Sequence, residues 1–159
     1  FSRLGVKTKH DGNSVCLAKK ACDSEPFVCN MVNQPDLAQT VAVTCCMLGK
    51  HFRISGLQTL RIKETDRIAA LQKELGKLGY QIGAEGDDTL FWNGETGTDT
   101  TGTEDIAIDT YEDHRMAMAF APVALKRDSI TINNPEVVSK SYPSFWEDMK
   151  KAGFKLARV

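Results

Sequence analysis

Apolar residues recur along this chain in two rhythms. Ile68, Leu71, Leu75 and Leu78 step by three or four, as do Phe145, Trp146 and Met149, and each series predicts an amphipathic helix with one core face. The charges between them, Lys73, Glu74 and Lys77 in one helix and Glu147, Asp148 and Lys150 in the other, are expected to form solvated faces. Leu37 to Leu48 and Met116 to Leu125 are apolar nearly all round, which predicts helices buried on every side, the second kinked or ended by Pro122. Short apolar or alternating runs predict strands at Val15-Cys16-Leu17, Phe27-Val28-Cys29, His51-Phe52-Arg53-Ile54, Leu90-Phe91-Trp92, Ile106-Ala107-Ile108 and Ser129-Ile130-Thr131-Ile132. Strands alternating with buried and covering helices make an α/β repeat.

The repetition is visible in the residues themselves. Leu4-Gly5-Val6, Leu78-Gly79-Tyr80 and Ala152-Gly153-Phe154 each read small or apolar residue, glycine, strand former, at an interval of 74 both times. Between the marks the order also repeats. Asp36 opens one all-apolar helix and Asp113 the other, 77 residues apart, and each helix is followed by a short alternating strand. Two successive units, approximately 1–78 and 79–159, are therefore expected. Phe1 to Gly5 reads as the last turn of a helix ended by glycine, and with Phe1 in first place the expectation is a piece of a longer protein.

Composition narrows the class. A chain of 159 residues, 42% hydrophobic and 26% charged, can bury a real core. Its net charge of −1 gives no general attraction for nucleic acid or anionic membrane, so any anion affinity must come from a local cluster. Met116 to Leu125 is about half the length of a membrane span, and a soluble, cytoplasmic protein is expected. The five cysteines include no C-x-x-C pair and show no zinc-ligand spacing with the three histidines, so no metal site is expected; buried, reduced thiols are. Gly94 to Gly102 reads as a polar loop whose glycines are followed by no lysine or helix, unlike a phosphate-cradling loop.

Chemistry enters where helices begin. The start of a helix carries partial positive charge, so a cation in its first turn costs about 0.3–1 kcal/mol unless an anion lies nearby. Arg67 falls in the first turn after Thr65-Asp66, Arg115 in the first turn after Asp113-His114, and Lys140 directly before a start expected at Ser141-Tyr142-Pro143, with Ser141 as cap. Backbone amides plus arginine or lysine make a charge-assisted anion site, and three such starts point to a polyanionic ligand. The competing reading is that each basic residue pairs with a local acid, Asp66 or Asp113, at the surface. Asp36 and Glu64 stand at corresponding helix openings; a carboxylate opposes anion binding unless it moves a proton or holds a hydroxyl.

The string Arg61-Ile62-Lys63-Glu64-Thr65-Asp66-Arg67-Ile68 resembles one signature of the EPSP synthase family, and Asp109-Thr110-Tyr111-Glu112-Asp113-His114-Arg115-Met116-Ala117-Met118 resembles the second. Gln34 to Thr40 is similar to the family's catalytic aspartate segment, and Val138 to Pro143 to its late lysine segment. The sibling family, which transfers enolpyruvyl to UDP-N-acetylglucosamine, lacks the Lys-Glu-Thr-Asp-Arg string. The resemblance implies about two βαβαββ units of an inverted α/β barrel domain. It implies transfer of the carboxyvinyl group of phosphoenolpyruvate to the 5-hydroxyl of shikimate 3-phosphate, with phosphate released and no cofactor or metal. It implies a monomer whose N-terminal domain, in the same chain, forms the opposite wall of the cleft, so that this part alone is inactive. By the same resemblance Asp36 and Glu64 are catalytic. Asp36 and Lys63 contact shikimate 3-phosphate, as does Thr59, which stands where the family often has asparagine. Arg67, Arg115, Lys140 and His114 bind phosphoenolpyruvate. The remaining alternatives are a phospho-metabolite binding module without catalysis and a structural repeat domain whose basic helix starts serve an acidic partner.

Overall fold

A computed structural model describes residues 1–62, 65–97 and 106–158. After a 3-10 turn at Ser2–Leu4, β1 (Val6–Asp11) and β2 (Ser14–Lys19) form an antiparallel hairpin. Then come β3 (Phe27–Asn30), α1 (Ala38–Met47), β4 (Phe52–Ser55), α2 (Arg67–Lys77), β5 (Gly83–Glu85) and β6 (Thr89–Trp92), in the order βαβαββ. A second run follows as β7 (Ala107–Ile108), α3 (His114–Phe120), β8 (Thr131–Ile132) and α4 (Phe145–Lys151).

Each run opens the same way. β3 and β4 pair in parallel, Phe27 opposite Phe52, with α1 as the crossover; β7 and β8 pair in parallel, Ala107 opposite Thr131, with α3 as theirs. The sheet of the first run has the order β3-β4-β6-β5, its last two pairings antiparallel. The repeated glycines all take left-handed backbone directly after a helical turn: Gly5 at φ 87°, Gly79 at 89° and Gly153 at 100°. That conformation is where a side chain would clash, which is why the same residue recurs at the same interval.

α1 packs against α3, α2 and β4. Its residues Ala38, Val41, Ala42, Val43, Cys45 and Cys46 are buried, as are Met116, Ala117, Ala119 and Phe120 of α3, so both helices are enclosed as their all-apolar composition predicts. The enclosure stops short at the ends. Leu37, Leu48 and Leu125 are exposed, and α3 gives way at Ala121 to a 3-10 turn with Pro122 near its start, where proline removes the amide that the next α-helical bond needs. One side of α3 faces the main core; Ala117 and Ala121 join Val137, Val138 and Phe145 in a second cluster beneath α4. All five cysteines are free thiols, and burial pushes the Cys45 thiol up to about 12, so it packs as a small neutral hydrophobe.

Several expectations need correction. Glu74 is fully buried and Lys77 half-buried, because the segment after residue 106 folds over that flank of α2. α4 starts at Phe145, with Ser144 in the cap position, so Ser141 caps nothing there and Lys140 ends a 3-10 turn, Pro135–Lys140. β7 and β8 are two-residue strands that omit Ile106, Ser129 and Ile130, and β4 begins after His51. β1 and β5 are additional strands. The polar loop from Gly94 extends beyond the described residues at 98. Among the described residues no helix is long and apolar enough to cross a membrane, and no group of three or more His, Cys, Asp and Glu could hold a metal ion.

Candidate functional site

Three elements converge on one charged cluster. The 3-10 turn Pro35–Leu37, which leads into α1, carries Asp36; α2 opens on Arg67; α3 carries His114 and Arg115 in its first turn. Arg67 Nη1 donates to Asp36 Oδ1 at 2.9 Å and Arg115 Nη2 to Asp36 Oδ2 at 3.0 Å. Arg115 Nη1 also donates to the Asp36 carbonyl at 3.3 Å. One carboxylate therefore bridges two guanidiniums lying 31 and 79 positions away in the chain, each contact a charge-assisted hydrogen bond.

Beneath Asp36 lies a second carboxylate. Asp113 is buried, and Arg67 Nε, on a side chain only 2% exposed, lies 2.7 Å from its Oδ2. Gln39 of α1, also fully buried, donates through Nε2 to the same oxygen at 3.0 Å, while the Arg115 amide donates to Oδ1 at 2.9 Å. Asp113 thus caps its own helix and grips the first residue of another. Asp66 caps α2 by accepting from the amides of Ile68 and Ala69, and pairs with Arg61 at 3.0 Å. Arg67 is therefore matched not by a local surface acid but by Asp36 and Asp113 from elsewhere in the chain.

α1 differs from its neighbours. No side chain caps either its first turn or the 3-10 turn ahead of it; backbone carbonyls serve instead, the Leu37 amide donating to Gln34 at 3.1 Å and the Ala38 amide to Pro35. Arg115 stands over it, half-exposed, with a buried Nε that has no acceptor among the described residues.

The other predicted site residues are placed as follows. His114 lies next to the cluster, its Nδ1 3.9 Å from Asp113 Oδ1. Thr59 is exposed in the 3-10 turn Gln58–Ile62, which packs against both α2 and the turn carrying Asp36. Lys140 is exposed at the end of the 3-10 turn that packs against α3. Among the described residues no hydrogen bond or ion pair ties Thr59 or Lys140 to the arginine cluster. Lys63 and Glu64 lie outside the described residues.

A separate network joins α2 to the segment ahead of α3. Tyr111 Oη donates to Glu74 Oε1 at 2.6 Å, and the Asp109 amide to Oε2 at 3.1 Å. Lys77 Nζ contacts Glu74 Oε2 at 2.6 Å, Asp109 Oδ2 at 3.0 Å and the Ala107 carbonyl at 2.9 Å. Asn133 Nδ2 donates to Asp109 Oδ1 at 2.7 Å; that bond, followed by the Lys77 contact, holds the Asp109 carboxyl below its ordinary range. Burial first and the Glu74 bond second push the Tyr111 hydroxyl well above its ordinary value.

Sequence reading passed over Asp113, Gln39, Glu74 and Tyr111 as working residues. Gln39 carries a usable signal, since a glutamine inside an otherwise apolar helix must find a buried partner. Glu74 carries none, because its spacing is that of an ordinary surface carboxylate.

Residues 1–149 match the family model described as EPSP synthase (3-phosphoshikimate 1-carboxyvinyltransferase). The chain is 50% identical over 154 residues to a 3-phosphoshikimate 1-carboxyvinyltransferase of Bacteroides fragilis, covering 97% of this chain and 37% of that protein. It is 40% identical over 117 residues to one from Photobacterium damsela subsp. piscicida, covering 74% of this chain and 26% of that one. A solved structure of EPSP synthase from Acinetobacter baumannii superposes with a TM-score of 0.68 at 21% identity, over 96% of this chain and 37% of that one. The match thus spans 37% of the length of the Bacteroides and Acinetobacter proteins and 26% of the Photobacterium one.

Proposed function

Because the chain belongs to the EPSP synthase family, we propose that the complete protein transfers the carboxyvinyl group of phosphoenolpyruvate to the 5-hydroxyl of shikimate 3-phosphate and releases phosphate. The observation that carries this reading is the convergence of Arg67 and Arg115 on Asp36, beside the start of α1. Two guanidiniums make a site for phosphate or carboxylate, and a carboxylate held between them has a use toward a hydroxyl or a proton.

In this proposal Arg67, Arg115, Lys140 and His114 hold the phosphate and carboxylate of phosphoenolpyruvate, while Lys63 and Thr59 hold shikimate 3-phosphate. Asp36 accepts the proton of the 5-hydroxyl as its oxygen bonds to the central carbon of phosphoenolpyruvate. Glu64 delivers a proton to the methylene carbon, giving a tetrahedral intermediate, and takes one back from the resulting methyl group as the carbon–oxygen bond to phosphate breaks. The arginines stabilise the charge on the leaving phosphate and fix both anions in line. The repeat units of approximately 1–78 and 79–159 belong to the same proposal, with β3 and β4 of the four-stranded sheet drawn from the first and β5 and β6 from the second. So do the soluble, monomeric state and an N-terminal domain supplying the opposite wall of the cleft.

The test is Arg115→Ala in the complete enzyme. Losing two charge-assisted hydrogen bonds from the site raises the KM for phosphoenolpyruvate by roughly 10-fold to 100-fold. An unchanged KM and kcat would overturn the assignment of the anion site.

A further inference from the structure

We propose that Glu74 and Tyr111 are positioning residues for the anion site, their hydrogen bond clamping the turn at Tyr111–Glu112 and thereby setting where Arg115 reaches. This rests on the reading of Arg115 as a contact for an anionic substrate.

Tyr111 and Glu112 sit at φ 53° and 57°, two successive non-glycine residues in left-handed backbone. Such a conformation persists only where the surroundings over-determine it. Here the surroundings are α2. Arg67 and Glu74, seven residues apart, lie two turns apart on one side of that helix, about 10 Å along its axis. Arg67 grips Asp113 at the end of the turn, at 2.7 Å, and Glu74 grips Tyr111 and the Asp109 amide at its beginning, at 2.6 and 3.1 Å. The Asp113 amide closes the turn on the Thr110 carbonyl at 2.9 Å. The segment 109–113 is thus pinned at both ends to one rigid element, and Arg115 follows two residues later.

The buried position of Glu74 has no account as a solubility charge, and its three partners all bear on this segment or on Lys77, which itself braces Asp109 and Ala107. Tyr111 donates its hydroxyl proton to Glu74 Oε1, and burial first and Glu74 second raise that hydroxyl above its ordinary value. The strain held in the turn is the reason a hydroxyl some distance from any substrate affects substrate affinity. Released from Glu74, the turn keeps its hold on Arg67 at Asp113 but loses the one at Tyr111, and the first turn of α3 loses its fixed direction.

The experiment uses the complete enzyme with inorganic phosphate as probe, Kd being read by competition against phosphoenolpyruvate. Tyr111→Phe removes only the clamping hydrogen bond and is expected to raise the phosphate Kd and the phosphoenolpyruvate KM about 10-fold, leaving the KM for shikimate 3-phosphate within about 3-fold. Glu74→Gln, whose amide still offers a donor and an acceptor, is expected to retain most of the affinity. In an Arg115→Ala background Tyr111→Phe is expected to add nothing, since the residue it positions is gone. The proposal is overturned if Tyr111→Phe leaves the phosphate Kd unchanged, if both KM values rise together, or if the effect is the same size without Arg115. Should Arg115→Ala itself leave the Kd unchanged, the site reading falls and takes this inference with it, which separates the two failures.

Discussion

Arg67 is 2% exposed, and among the described residues Asp36 and Asp113 face its buried guanidinium. The two carboxylates are not equivalent: Asp36 is 41% exposed at its side chain and Asp113 not at all. Arg67→Met therefore leaves Asp36 to Arg115 and water, but strands Asp113 in the interior, where the described residues facing it are Gln39, a backbone amide and, at 3.9 Å, His114. The expected loss is about 3–5 kcal/mol, the usual cost of stripping the partner from a buried charge, read as a drop in urea midpoint with unchanged slope. Tyr111 gives a prediction in pH. Its hydroxyl is raised above the ordinary value of 10.0, by burial first and then by Glu74, with Asp109 adding to the shift and Lys73 lying over its ring. A proton held more tightly in the folded state contributes stability that is complete below pH 10 and declines as pH rises above it. Wild type is expected to lose urea resistance above pH 10 faster than Tyr111→Phe, and identical alkaline limbs for the two would refute the assignment.

At the scale of elements, α2 shows what sequence can and cannot say. Its stripe Ile68, Leu71, Leu75 and its cap Asp66 are local facts, legible from spacing and residue type, and the helix runs Arg67–Lys77 as they require. Asp66→Ala removes two amide contacts, and a loss of about 0.5–2 kcal/mol is expected in the unfolding midpoint, with substrate KM values little changed because Asp66 touches neither Asp36 nor Asp113. The same helix hides Glu74. Its burial is caused by residues 107–111, more than 30 positions downstream, and no local pattern encodes a neighbour at that distance. Non-local packing likewise explains the mistaken start at Ser141: serine, proline and a following aromatic pair fit a helix opening locally, but Val137 and Val138 are drawn into the cluster under α3, which keeps the chain in a 3-10 turn until Lys140. β1 escaped notice because a strand exposed on both faces has no alternation to read, and β5 because three residues are too few. The convergence of Asp36, Arg67 and Arg115 was legible in part: the basic helix starts were plain, while their sharing of one carboxylate across 31 and 79 positions needed the fold.

For the molecule as a whole, the β1–β2 hairpin bears on what this chain can do alone. Register places Val6, Thr8 and His10 opposite Lys19, Leu17 and Val15, so one face of the hairpin mixes three apolar side chains with three polar ones, and Val15 is 57% and Leu17 66% exposed. A two-stranded hairpin is marginal by itself and normally rests on further strands or helices. The arginine cluster also has an open side: Asp36 and Arg115 are partly exposed where the turn Pro35–Leu37 meets the starts of α2 and α3. The match covers 37% of the Bacteroides relative, and on the proposed function the remainder covers both surfaces. Transfer requires water to be excluded and both anions to be held at once, which a single open wall cannot do. The 159-residue chain, incubated with phosphoenolpyruvate and shikimate 3-phosphate, is therefore expected to release no phosphate above the uncatalysed rate in a continuous phosphate assay, while the complete protein turns over under the same conditions. Turnover by the chain alone at the rate of the complete enzyme would mean that these 159 residues suffice for catalysis, and the two-walled cleft would have to be abandoned.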